Sequence, residues 1–120
     1  MSSGPIDQDA FDRLVEMTGG ELDFVDELVD TYIEDGRNQV DGLRAALERG
    51  DSEAVVRAAH SLKSSSVNVG AVALGDRCRT LEEAARGGPV DDAAAQVTSI
   101  AADFDAVVAA LLDARATRPA

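Results

Sequence analysis

Apolar positions recur along the chain at intervals of three and four residues, the spacing that places side chains on one face of a helix. The longest series comprises Leu22, Val25, Val29, Tyr32, Val40, Leu43 and Leu47. A second long series comprises Val90, Ala93, Val97, Ile100, Phe104, Val107, Leu111 and Ala114. No run of β-branched residues alternates with polar ones in the way that predicts a strand. The pattern therefore predicts an all-α protein.

Capping residues and glycines divide this pattern into five helical segments. The first segment is expected to run from Asp7 to Gly19 and Gly20, and the second from Glu21 to Gly50. The third should begin at Asp51 or Ser52 and end at Asn68–Gly70, and the fourth should run from Ala71 to Gly87 and Gly88. The fifth should begin at Pro89 with Asp91 and Asp92 and end at Ala114. Short links favour antiparallel neighbours, so we expect an antiparallel four-helix bundle with an additional short N-terminal helix. We expect a flexible lead-in over residues 1–5, a single helical domain over 6–115 and a frayed C-terminus over 116–120. The last apolar seam would also suit a coiled-coil dimer, although the short links favour a monomer.

Composition and charge narrow the possible partners. The 120 residues suit one domain, and a net charge of −12 argues against binding to nucleic acid or anionic membranes. Residues 21–35 alone carry seven acidic side chains and no basic one, which indicates a helix with an acidic outer face. One cysteine, Cys78, cannot form an internal disulfide. We recognise neither an apolar run long enough to span a bilayer nor a signal peptide, so we expect a cytoplasmic protein.

His60 is the only histidine of the chain. A lone histidine in a helix is more often an unremarkable surface or core residue than a functional one, so its orientation matters. At about 100° per residue, Ala58, Leu62 and Val69 fall within roughly 20° of one direction and mark the core face. His60 lies about 160° or more from these positions by the same arithmetic, which predicts an exposed imidazole.

The residues three and four positions away from His60 are its neighbours on the helix surface. They include Arg57, Lys63 and Ser64, and the two cations favour the neutral, nucleophilic form of the ring. Ser64 is placed to donate a hydrogen bond to a bound anion. Val56 and Val67 lie near the same stripe, where they indicate either a docking surface or partial burial at the bundle edge.

The segment from His60 to Ala71, HSLKSSSVNVGA, resembles the signature of histidine-containing phosphotransfer (HPt) domains, as do Leu74, Cys78, Leu81 and Glu82 downstream. The resemblance implies a phosphorelay intermediate that accepts a phosphoryl group on His60. It also implies that Lys63 neutralises the phosphoryl oxygens and that Gly70 permits the turn after the helix. The spacing of Arg57 from His60, rather than the resemblance, adds it as a second cation for the phosphoryl group. Many family members have glycine where this chain has Ser64.

The partners that this resemblance implies are receiver domains of response regulators, including those of hybrid histidine kinases. Mg²⁺ is then expected on the receiver, and one histidine with one cysteine predicts no metal site or other intrinsic cofactor in this chain. Neither a GxSxG turn nor a GxxxxGK[ST] loop is present, so we expect a phosphoryl-transfer intermediate without an ATP site. Whether it qualifies as an enzyme stays open. The alternative is a helical adaptor or dimerisation module that binds partner domains without phosphotransfer.

Overall fold

The computed structural model describes residues 5–117, with the side chains of Leu22 and Thr117 left out. Within this range the chain forms five helices and no strand. They are α1 (Gln8–Met17), α2 (Leu22–Arg49), α3 (Ser52–Asn68), α4 (Val72–Arg86) and α5 (Ala93–Thr117). The flexible lead-in and the frayed C-terminus that the sequence predicts fall largely outside the described residues.

Helices α2 to α5 form the bundle, in which α2 and α4 each contact both α3 and α5. The pairing of α2 with α3 is antiparallel, since Tyr32 meets Ser66 and Gly42 faces Ala58. Helix α1 lies beside this bundle and is tied to the turn between α3 and α4, because the backbone N–H of Asp7 donates to the carbonyl of Gly70 at 2.6 Å. The predicted antiparallel four-helix bundle with a short N-terminal helix is confirmed.

The helix limits follow the capping chemistry. The Asp7 carboxylate accepts from the backbone N–H of Asp9, and that of Asp51 accepts from Ala54, each at 3.0 Å. Asp51, rather than Ser52, is therefore the N-cap of α3. Gly50 ends α2 with φ 67°, a left-handed conformation that costs glycine little.

The core consists mainly of small aliphatic side chains from all five helices. The apolar series of α2 has a gap between Tyr32 and Val40, where Gly36 is buried against α5. A Cβ added at Gly36 would overlap the ring of Phe104, whose Cζ would be only 2.6 Å away. That ring also packs at a tilt on Tyr32, with centroids 5.7 Å apart. Glycine at position 36 thus lets α2 and α5 approach closely.

The apolar seam of α5 is covered by α2 and α4 of the same chain, so it is not left exposed for a coiled-coil partner. At the far end of α5, Arg115 donates to the carboxylate of Asp30 at 2.7 Å and joins the helix to α2. The expectation of no membrane-length apolar run was wrong, because Ala93–Ala116 is long and apolar enough by length and composition to cross a bilayer. Core helices of soluble proteins pass the same test, and the apolar seam of α5 faces the bundle interior.

Two of the three serines after Lys63 have internal roles. Ser66 is fully buried, and its hydroxyl shares a 2.8 Å hydrogen bond with the hydroxyl of Tyr32 on α2. The hydroxyl of Ser65 donates to the backbone carbonyls of Ser61 and Leu62 at 3.1 and 3.2 Å. A buried hydroxyl pair satisfies two groups that would be costly to bury alone, so Ser66 and Tyr32 help to set the register of α2 against α3.

Candidate functional site

His60 lies on the outer surface of α3, with 56% of its side chain exposed. Its chain neighbour Ala59 and the core residue Leu62 are fully buried, so the orientation agrees with the helical spacing. Helix α4 runs close to this surface because residue 75 is glycine. A Cβ at Gly75 would lie 2.8 Å from Cγ2 of Val67, and its absence lets the two helices approach.

A carboxylate from α4 holds the imidazole. Nδ1 of His60 is 3.0 Å from Oε2 of Glu82. An ionised carboxylate only accepts hydrogen bonds, so Nδ1 carries a proton and donates a hydrogen bond to Glu82. In the neutral ring the lone pair is then on Nε2, which makes no hydrogen bond to any residue within 5–117. The ring nitrogen with an available lone pair is therefore Nε2.

Glu82 is a buried carboxylate that is held by two further cations. The Lys63 ammonium donates to Oε1 at 2.9 Å, and the Arg86 guanidinium donates to Oε2 at 2.6 Å. The Lys63 hydrogen bond is the main cause that lowers the pKa of Glu82 to about 2, against the opposing effect of burial, and Arg86 and His60 add to the lowering. Glu82 is therefore ionised at neutral pH, although only 5% of its side chain is exposed.

The two cations that the spacing placed beside His60 differ in their contacts. Lys63 is turned toward Glu82, with 26% of its side chain exposed. Arg57 is exposed and forms no ion pair within the described part of the chain. The prediction from spacing considered only neighbours on α3 and therefore did not include the contact of the ring with Glu82 from α4.

The remaining predicted site residues lie around this centre. Ser64 is exposed one turn after His60, and Gly70 lies in the turn after α3 with φ 87°, a value that favours glycine. Val56 is half-buried against the core, whereas Val67 is 48% exposed. Partial burial at the bundle edge thus describes Val56, while Val67 retains an apolar surface for contact.

Sequence reasoning gave no site role to Glu82 or Arg86. A signal for Glu82 is present, since it follows Cys78 by four residues and precedes Ala85 by three, which places a carboxylate on the core face of α4. A buried carboxylate needs hydrogen-bonding or charged partners. Arg86 then follows Glu82 by four residues, the spacing of an intrahelical ion pair.

Other reactive groups are less suited to nucleophilic chemistry. Burial raises the pKa of the Cys78 thiol to about 12, so the thiolate is scarce at neutral pH. Burial likewise raises the pKa of Tyr32 to about 12. Across residues 5–117, no group of three or more His, Cys, Asp and Glu side chains is arranged to hold a metal ion. Exposed His60 is the better placed nucleophile.

The fold and the site together define a small helical bundle that presents one imidazole held by a buried carboxylate. Comparison with known proteins agrees, since the model of the Hpt domain family matches residues 27–114. The crystal structure of histidine-containing phosphotransfer protein B (HptB) from Pseudomonas aeruginosa PAO1 is similar, with a TM-score of 0.88 and 32% sequence identity over 98% of this chain and 100% of that one. A search of curated proteins gave no match. The chain belongs to the Hpt domain family, and its function is histidine phosphotransfer in two-component signalling.

Proposed function

We propose that His60 is the phosphorylated residue, that Nε2 is the accepting atom, and that the phosphoryl group comes from a receiver-domain aspartyl phosphate and passes to another receiver. The observation that carries this proposal is the 3.0 Å contact between Nδ1 of His60 and Oε2 of Glu82. It orients the only imidazole of the chain with its second nitrogen toward solvent.

The transfer step needs no additional base to remove a proton. The lone pair of Nε2 attacks phosphorus, the N–P bond forms, and the P–O bond to the aspartyl carboxylate breaks. The proton on Nδ1 stays in place, so the ring becomes positively charged while the aspartate leaves as an anion. Buried, ionised Glu82 stabilises that developing charge, in the way that a fixed carboxylate stabilises an imidazolium elsewhere. Reversal of the same step transfers the group onward.

Neighbouring donors neutralise the phosphoryl oxygens. Lys63 has three N–H donors, and its 2.9 Å bond to Glu82 occupies one of them. Arg57 contributes a second cation one turn before the histidine, and Ser64 contributes a hydroxyl one turn after it. Phosphoryl transfer depends chiefly on such positioning and charge neutralisation, which needs few protein groups.

The proposed partners are response-regulator receiver domains, including those of hybrid histidine kinases, and the receiver supplies the Mg²⁺ that the reaction uses. Hpt proteins pass phosphoryl groups to receiver domains in phosphorelays, which supports this assignment. We infer a cytoplasmic monomer, because the partner reaction is intracellular and the α5 seam is covered within one chain.

The test is transfer of acid-labile phosphate from a panel of phosphorylated receiver domains of the same organism. The wild type should become labelled by at least one receiver, and His60→Gln should remain unlabelled while keeping its helical circular dichroism and melting temperature. Labelling of His60→Gln would overturn the assignment of the site. Binding of receivers without transfer to the wild type would favour the adaptor function instead.

A further inference from the structure

Helices α3 and α4 meet along one seam, which contains a close packing contact as well as the contact between His60 and Glu82. Gly75 of α4 lies against Val67 of α3, and Glu82 of α4 lies against His60 of α3. Glu82 follows Gly75 by seven residues and His60 precedes Val67 by seven, so the two contacts are two helical turns apart on both helices. A change in helix spacing at Gly75 therefore also changes the spacing at the imidazole, about 10 Å away along the helix.

The space beside buried Gly75 does not admit a side chain without movement of its neighbours. A Cβ there would lie 2.8 Å from Cγ2 of Val67, whereas ordinary van der Waals contact begins at 3.4 Å. Valine is branched at Cβ and has one strongly preferred rotamer in a helix, so this methyl group resists turning aside. The next nearest atoms, the carbonyl oxygen of Lys63 at 3.6 Å and the backbone nitrogen of Val67 at 4.0 Å, are at ordinary distances. The overlap thus comes from one methyl group of Val67.

The carboxylate of Glu82 is held to its own helix, so it would not follow the imidazole if α3 and α4 moved apart. Arg86 is also on α4, and it donates to Oε2 of Glu82 at 2.6 Å. Nδ1 of His60 is 3.0 Å from the same oxygen, and a hydrogen bond is lost at about 3.6 Å. Lys63 binds the other oxygen through a long, flexible side chain that can extend. A methyl group at position 75 needs about 0.6 Å of separation to reach ordinary contact, which is enough to break the bond to His60.

We propose that Gly75 is a positioning residue for phosphotransfer, because the close approach that it allows to Val67 keeps Glu82 within hydrogen-bonding distance of His60. This inference rests on the proposed function and adds a residue that lies two helical turns from the reacting atoms. Without the contact to Glu82, the proton of the neutral ring can occupy either nitrogen and the ring can rotate. Both changes reduce the fraction of molecules that present the Nε2 lone pair to the donor, so transfer becomes slower.

The test introduces Gly75→Ala into the wild type and into Val67→Ala, and each product is compared with its own parent. Gly42→Ala is the matched control, because its Cβ would lie 4.0 Å from that of Ala58, an ordinary contact. Transfer from a phosphorylated receiver domain of the same organism is followed by rapid quench at saturating receiver, which measures the rate within the complex. The chain has one histidine, so ¹⁵N-histidine NMR of the unphosphorylated protein, with the ring neutral, separately reports the proton on Nδ1.

We expect Gly75→Ala to slow transfer within the complex about tenfold and to give a mixture of the two ring tautomers. In the Val67→Ala background the overlapping methyl group is absent. There the same change should alter the rate less than about twofold and leave the proton on Nδ1, since the two sites are coupled by direct contact. Gly42→Ala should match the wild type in both measurements.

Three results would overturn the positioning role and leave phosphotransfer intact: equal losses in both backgrounds, an unchanged tautomer in Gly75→Ala, or an equal loss in Gly42→Ala. If circular dichroism shows that Gly75→Ala alone is unfolded, the double variant with Val67→Ala decides. A folded double variant that still transfers more slowly than Val67→Ala would overturn the role as well. Failure of every receiver to label the wild type would overturn the proposed function and this inference with it.

Discussion

Substitution of Glu82 by glutamine tests the centre of the site through folding stability. The change keeps the size of the side chain but removes the negative charge that holds His60, Lys63 and Arg86, and it replaces one accepting oxygen with an NH2 group that only donates. The two cations remain partly exposed, so they can be hydrated after the change. The main loss is therefore the favourable interaction of the buried carboxylate with its cations.

The size of this loss follows from the pKa of Glu82, which falls from its ordinary 4.5 to about 2 in the folded protein. The difference corresponds to about 3 kcal/mol of folding free energy at neutral pH. Because the folded-state pKa lies below the unfolded-state value, this stabilisation is complete above that unfolded value and disappears as the pH falls through about 2. At pH 3 about 1 kcal/mol of it should remain.

Urea unfolding followed by circular dichroism at pH 7 and pH 3 measures the effect. Glu82→Gln should be less stable than the wild type by about 3 kcal/mol at pH 7 and by about 1 kcal/mol at pH 3. The control is Glu83→Gln, which changes an adjacent, exposed carboxylate and should cost less than about 0.5 kcal/mol at either pH. A Glu82→Gln difference that is the same at both pH values would refute the assignment of a depressed pKa.

Four further substitutions test the packing and the site. Gly36→Ala should destabilise the fold by about 1 to 3 kcal/mol, because the added methyl group overlaps with Phe104. Gly42→Ala on the same helix should instead stabilise the fold by up to about 1 kcal/mol, because alanine favours the helix and has room there. Equal effects of the two changes in thermal melts would contradict the close approach of α2 and α5. Leu62→Ala should cost about 2 to 5 kcal/mol in urea unfolding, and a loss below 1 kcal/mol would show that this fully buried side chain is not part of the core. Lys63→Ala should slow receiver-to-histidine transfer about ten- to a hundredfold without abolishing it, and an unchanged single-turnover rate would remove its electrostatic role.

The fold was largely predictable because the spacing of apolar residues along the chain indicates both the helices and their buried faces. Phe104 and Leu111 recur at helical spacing and are buried, and His60 lies opposite the core positions of its own helix. Capping residues such as Asp51 then place the helix ends. These features are local in the chain, so a single sequence contains them.

The parts that could not be predicted depend on contacts between helices. Glu82 lies 22 residues from His60 in the chain, and only the crossing of α3 and α4 brings it to 3.0 Å from the ring. The same carboxylate turns Lys63 inward, a direction that its spacing on α3 does not show. From the sequence alone, Gly36 is only a residue that weakens a helix. Its role in packing becomes visible when the structure places the ring of Phe104 against it.

The central claim is that Nε2 of His60 accepts the phosphoryl group while Glu82 holds the proton on Nδ1. Since the chain has one histidine, a sample labelled with ¹⁵N-histidine contains the two ring nitrogens of His60 and no others. After phosphorylation by a receiver, NMR should show ³¹P coupling to Nε2 and a retained proton on Nδ1. Phosphorus coupled to Nδ1, or phosphorylated protein with an unmodified imidazole, would contradict the account.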